Sequence, residues 1–234
     1  MVINKKEYTD EVIIFLHILK TAGETLNGII YDQYKGKYII KSPYWMQEPF
    51  LEYLKKFDEE EIKRMEVLRG HFHFGVHKYL PQKKYIYMTF LRNPIEQVIS
   101  FYYFTRDRYP GVYDHITFEE YINDEKYNWT TSNIQTRFLS GSPSEPGDFE
   151  KAKNNLENYF SIVGITERFD ESLSVIKRKL GWSIKSYNNR NVTKNRPIIN
   201  EISNETIDLI KKKNESDIKL YEFANKLLDN SLLP

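Results

Sequence analysis

The sequence predicts an α/β fold: a P-loop-like, three-layer arrangement with a central, largely parallel sheet flanked by helices. Three observations carry this. Short strand-like runs at residues 12–16, 66–69, 84–91 and 160–165 alternate with stretches whose apolar residues recur at helical spacing. The first run, VIIFL, is continuous and β-branched, as a strand buried on both faces is. Polar turns lead from strand ends straight into helices, and ligands of such sheets bind at the C-terminal ends of the strands.

The pivotal stretch is VIIFLHILKTAGETLNGII, residues 12–30. After the apolar run comes a polar turn, residues 20–25, and then Leu26, Ile29 and Ile30 at helical spacing. The first amides of a helix lack partners within it and carry partial positive charge, so phosphate or sulfate oxygens suit them. Gly23 lets the backbone approach a ligand, Lys20 adds a full charge, and Thr21 and Thr25 bring hydroxyl donors. This is not the triphosphatase signature GxxxxGK[ST], because Lys20 precedes Gly23. His17, inside the run, reads as a core or locally hydrogen-bonded histidine.

Residues 31–57 read as irregular and aromatic-rich, with Gly36 and Pro43 as breakers, an excursion near an acceptor site. Asp58 suits a helix N-cap, with acid at residues 59–61 and Lys63 and Arg64 at the far end. The strand at 66–69 then runs into RGHFHFGVHKYLP. If this segment stays extended, His71 and His73 face one side, and each is a candidate general base. The competing zinc pattern, H-x-H-x3-H with His77, has no carboxylate at ligand spacing, so no metal is expected.

Residues 84–91, KYIYMTFL, form the next strand, and Asn93-Pro94 starts the next helix. Arg92 stands at the strand's end and Ser100 about two turns into the helix, a pair able to grip one phosphate. A Mg-dependent triphosphatase would place an acidic residue here; this chain has Arg and Asn. Residues 106–115 read as a loop, and Thr117 with Glu120 as a capping box. Helices follow at 133–139 and 148–158, then the strand at 160–165, Glu167, and a helix capped by Gly181. The polar, basic stretch KSYNNRNVTKNRP can lie over a bound anion, and two helices split near Asn214 end the chain.

Length and composition bound the rest. A chain of 234 residues suits a single domain, 1–234, with a full core. A net charge of +1 gives no bulk attraction to nucleic acid, so no nucleic-acid partner is expected and any basic surface is local. The absence of cysteine excludes disulfides and thiolate metal sites. No apolar run matches a bilayer and MVINKKEYTD lacks a signal-peptide stretch, so the expectation is a cytoplasmic protein without an integral membrane segment.

Taken together, FLHILKTAGETL, GHFHFGVHKYLP, TFLRNPIEQVISFYYF, GITERFDESL and NVTKNRP resemble the carbohydrate sulfotransferases that use 3′-phosphoadenosine 5′-phosphosulfate (PAPS), the group related to heparan sulfate 2-O-sulfotransferase. The resemblance implies that Lys20, Thr21, Ala22, Gly23, Glu24 and Thr25 form the 5′-phosphosulfate loop, with Lys20 near the bridging oxygen. It implies a 3′-phosphate grip by Arg92 and Ser100, His71 as base with His73 beside it, and Thr193 and Lys194 in a segment closing over the nucleotide. It further implies a metal-free reaction on a carbohydrate or other hydroxyl-bearing acceptor. Leu19 stands where Pro is usual and Glu24 where Thr or Ser is usual. A carboxylate beside a polyanion weakens binding unless it points away. Two other readings share the crevice: a nucleotide-dependent kinase, and a non-catalytic nucleotide- or glycan-binding module.

Overall fold

In the computed structural model, which describes residues 10–42, 47–81, 83–142, 147–187 and 196–233, the strands are β1 (Glu11–Leu16), β2 (Tyr38–Lys41), β3 (Met65–Gly70), β4 (Lys84–Leu91) and β5 (Phe160–Ile165). The helices are α1 (Gly23–Gln33), α2 (Gln47–Leu54), α3 (Glu59–Arg64), α4 (Pro94–Arg108), α5 (Phe118–Asn123), α6 (Asn128–Thr131), α7 (Ile134–Ser140), α8 (Phe149–Tyr159), α9 (Phe169–Leu180), α10 (Asn204–Lys213) and α11 (Glu215–Leu232). The sheet runs β2-β3-β1-β4-β5 with every pairing parallel.

The central position of β1 accounts for its unbroken apolar run. Successive side chains point to opposite faces, and both faces are covered. Val12, Ile14 and Leu16 join one core cluster with residues of α4, α7, α8 and α11. Ile13 and Phe15 join the other, with Leu26, Ile29 and Ile30 of α1 and Leu173 and Ile176 of α9. These are the three layers the sequence predicts.

The described part of residues 31–57 is more regular than the composition indicates, since it contains β2 and α2. β2 is an edge strand: only β3 pairs with it, the register slips between Tyr38 and Ile39, and only Ile40 is buried. Half-buried strands of four residues leave no clean alternation in the sequence. The expected caps do form. Asp58 with Glu61 and Thr117 with Glu120 make capping boxes, and Asn93 accepts from the amides of Ile95 and Glu96. Among the described residues, no helix is long and apolar enough to cross a membrane.

Register places the site. Leu16 at the end of β1 is level with Gly70 of β3 on one side and Thr89 of β4 on the other. The segments carrying Lys20, His71 and Arg92 therefore leave three adjacent strands at the same edge of the sheet.

Candidate active site

The turn after β1 is built from unusual backbone. Lys20 and Ala22, neither of them glycine, have φ of 64° and 60°. Left-handed residues next to right-handed ones turn consecutive amides towards one concavity, a shape suited to anions. Two long-range donors hold the outer side of this turn. Gln97 of α4 donates to the Leu19 carbonyl at 2.7 Å, and Arg92 Nη1 donates to the Lys20 carbonyl at 3.1 Å. Thr21 is fully buried and its hydroxyl donates to the Ile18 carbonyl, so it braces the turn. Thr25 is buried one turn into α1.

Gly23 is required for a reason the sequence did not disclose. A Cβ there would lie 1.8 Å from Nε2 of His17. The glycine makes room for an imidazole of this chain as well as for a ligand.

Lys20 extends over the Phe104 ring, its Nζ 3.4 Å from the centroid. Burial, with Arg92 and Arg196 nearby, lowers its pKa to about 7, against a smaller opposing effect of Glu24. Glu24 is electrostatically part of the site. Its carboxylate raises the pKa of Lys20, Arg69 and His71 alike, and it accepts from Asn27 at 3.3 Å.

The two candidate histidines part company because β3 ends at Gly70. His71 stays by the turn: its Nδ1 is 2.7 Å from the His17 carbonyl, and the two rings lie 4.3 Å apart. His73 packs against Phe138 of α7 at 4.6 Å. Burial and then Arg137 push its pKa down to about 4. His77 is engaged elsewhere, with Nδ1 3.0 Å from the Tyr87 hydroxyl. Among the described residues no group of three or more His, Asp or Glu is placed to hold a metal ion.

Arg92 is held through both its backbone and its guanidinium. Its amide donates to Oε1 of Gln135 at 3.0 Å, and Nε2 of Gln135 donates to its carbonyl at 2.8 Å. Its guanidinium donates to Glu96 at 3.2 Å and lies at ion-pair distance, 3.8 Å, from Glu167. Glu96 also pairs with Arg196. Ser100 is buried in α4, one turn beyond Glu96 and Gln97 and one turn before Phe104. Residues three and four apart share a helix face, so Ser100 lies on the side of α4 that meets the Lys20 turn. Thr193 and Lys194 lie outside the described residues.

Gln97, Gln135, Arg196, Glu96 and Phe104 were not singled out from the sequence. Arg196 had a signal, the basic stretch 185–197. Gln97, between Glu96 and Val98, carried no such signal.

Known proteins can now be set beside this geometry. The sequence profile of the galactose-3-O-sulfotransferase family matches residues 4–232. Human heparan sulfate 2-O-sulfotransferase 1 is 27% identical over 199 residues, covering 74% of this chain and 56% of its own length. The heparin sulfate O-sulfotransferase of Drosophila melanogaster is 26% identical over 258 residues, covering 94% of this chain and 71% of its own. The chain thus spans little more than half the length of the first of these relatives. In fold it is similar to mouse sulfotransferase SULT7A1, solved in complex with PAP, with a TM-score of 0.51, 14% identity, and 95% and 89% of the two chains covered. The profile match spans nearly the whole chain and the sheet carries the P-loop-like order, so this protein belongs to the galactose-3-O-sulfotransferase family of carbohydrate sulfotransferases.

Proposed function

We propose that this chain transfers a sulfuryl group from PAPS to a hydroxyl of a carbohydrate acceptor, in line, with His71 as general base. The observation that carries the reading is the meeting of the Lys20 turn, His71 and Arg92 at one end of three adjacent parallel strands. Relatives named as heparan sulfate sulfotransferases support a carbohydrate acceptor.

The residues fit a doubly phosphorylated donor. Burial, then Arg92 and Arg196, lower the proton affinity of Lys20, and burial, then Arg196, lower that of Arg92, so the cluster holds positive charge that its carboxylates leave partly uncompensated. A polyanion would relieve that repulsion. The first amides of α1 and Lys20 would hold the phosphosulfate, and Arg92 with Ser100 the 3′-phosphate.

In the transfer, His71 takes the acceptor's hydroxyl proton as the acceptor oxygen bonds to sulfur. The bond from sulfur to the bridging oxygen breaks, and its electron pair stays on the phosphate. Lys20 and the helix amides stabilise that charge, often the larger catalytic contribution. General-base help is worth about 10²- to 10⁴-fold, so His71→Ala should lower turnover by that order with folding intact. Unchanged turnover would reject His71 as the base.

The first experiment is thermal unfolding with 3′,5′-adenosine bisphosphate, with ATP plus magnesium, and with EDTA. A ligand at about one hundred times its Kd adds roughly 2.7 kcal/mol, several degrees for a chain of this size. A rise with the bisphosphate alone supports the proposal. A rise only with ATP and magnesium would favour a kinase, and none with either would leave the site without its donor.

A further inference from the structure

We propose that His17 is a positioning residue: its carbonyl and its ring together hold the His71 imidazole in one tautomer and one plane, and tie that plane to the start of α1. The inference rests on reading His71 as the base.

The tautomer follows from chemistry. A carbonyl oxygen only accepts, so the His71 Nδ1 that stands 2.7 Å from the His17 carbonyl carries the hydrogen. Nε2 is then the basic nitrogen. The clasp is reciprocal, because the His17 amide donates to the carbonyl of Gly70, the residue before His71, at 2.9 Å.

The plane follows from packing. The His17 ring lies 4.3 Å from that of His71, tilted by 36°, and Phe15 stacks on the His17 ring at 5.3 Å with an interplanar angle of 13°. Phe15 is fully buried in the core, so the ring that His71 packs against is itself anchored. The other edge of the His17 ring fills the space a Cβ would take at Gly23. One side chain thus touches both the base and the first residue of the helix proposed to hold the donor.

A histidine in this place stays neutral. It is 6% exposed, and burial with His71, Arg69, Lys20 and Lys41 disfavours its charged form. It therefore adds no positive charge beside His71 when that ring takes a proton. The groups acting on His71 itself are Glu24 on α1, which raises its pKa, Lys41 on β2, which lowers it, and the His17 carbonyl, which raises it; burial outweighs them in the downward direction.

The test uses the full chain and three variants: His17→Leu, which fills the core without a flat group; His17→Asn, which restores a small planar one; and His71→Ala. Imidazole ¹⁵N spectra should show His71 as the Nδ1–H tautomer in the native chain and, because the His17 backbone carbonyl stays in place, in His17→Leu too, where the His71 ring resonances should broaden as the ring loses its fixed plane. His17→Leu should lower kcat by roughly ten- to a hundredfold, the scale of a misplaced catalytic group. It should move the Kd for the bisphosphate less than about twofold. His17→Asn should recover part of each change. Sharp, native His71 ring resonances and native kcat in His17→Leu, with only a lower Tm, would overturn the proposal and leave His17 a core residue. Equal losses in the Leu and Asn variants would overturn the claim for a planar group. If His71→Ala keeps native turnover, the base assignment itself fails, independently of how the His17 variants behave.

Discussion

At the scale of single residues, Lys20 and Glu24 decide how the site responds to pH. With its pKa lowered from 10.5 to about 7, Lys20 is half neutral near neutrality in the ligand-free protein. Between those two values the unfolded chain binds more protons than the folded one, so this group's contribution makes the free fold more stable as pH rises through that window. An anion reverses the preference and restores the proton. Bisphosphate binding should therefore take up a proton at pH 8 and weaken as pH rises above about 7. Calorimetry in two buffers of different ionisation heat measures the uptake, and Lys20→Met should abolish it. Glu24 raises the pKa of both Lys20 and His71. Glu24→Thr should then shift the acid limb of turnover to lower pH. At pH 6, where Lys20 is charged, it should tighten bisphosphate binding by roughly fivefold, about 1 kcal/mol after salt screening. Weaker binding at that pH would show that the carboxylate serves the donor and does not repel it.

At the scale of elements, the site is a set of helices and strands pinned to one another by amide side chains. α4 reaches the Lys20 turn through Gln97, and α7 reaches the end of β4 through Gln135. α7 is itself held by α11: the fully buried Asp217 accepts from the amides of Gln135 at 2.9 Å and Thr136 at 2.6 Å. Gln135→Ala leaves the Arg92 amide and carbonyl without these partners. Buried unpaired polar groups cost about 1–3 kcal/mol each, so denaturant titration should show a loss of at least that size. Because Arg92 loses its clasp, bisphosphate affinity should fall roughly tenfold in the fraction that stays folded. An unchanged affinity would show that Arg92 is set by its guanidinium partners, Glu96, Glu167 and the Lys20 carbonyl. The ends of these elements were legible in the sequence because a cap involves residues two to four apart, as Asn93 with Ile95 and Glu96 does. The pins were not, because Gln97 and the carbonyl it meets are 78 residues apart, and Gln135 and Arg92 are 43 apart.

At the scale of the whole molecule, the parallel sheet ranks its own strands. β1 and β4 are buried along most of their length, whereas β2 is a half-exposed edge. Hydrogen exchange should be slowest in β1 and β4 and fastest in β2, and the bisphosphate should slow it further in the first turn of α1 and the segment after β3. Protection spread evenly over the chain would speak for general tightening, against a site at this sheet end. The sequence by itself determined the α/β class, the doubly buried β1 and the capped starts of α3, α4, α5 and α8. Each of these rests on the period, propensity and hydrogen-bonding needs of neighbouring residues. Only the tertiary structure decided the strand order, the existence of β2, the parting of His71 from His73, and the use of Gly23 to admit His17. Those depend on which distant surfaces pack together, and packing free energy is shared among residues that no local pattern connects.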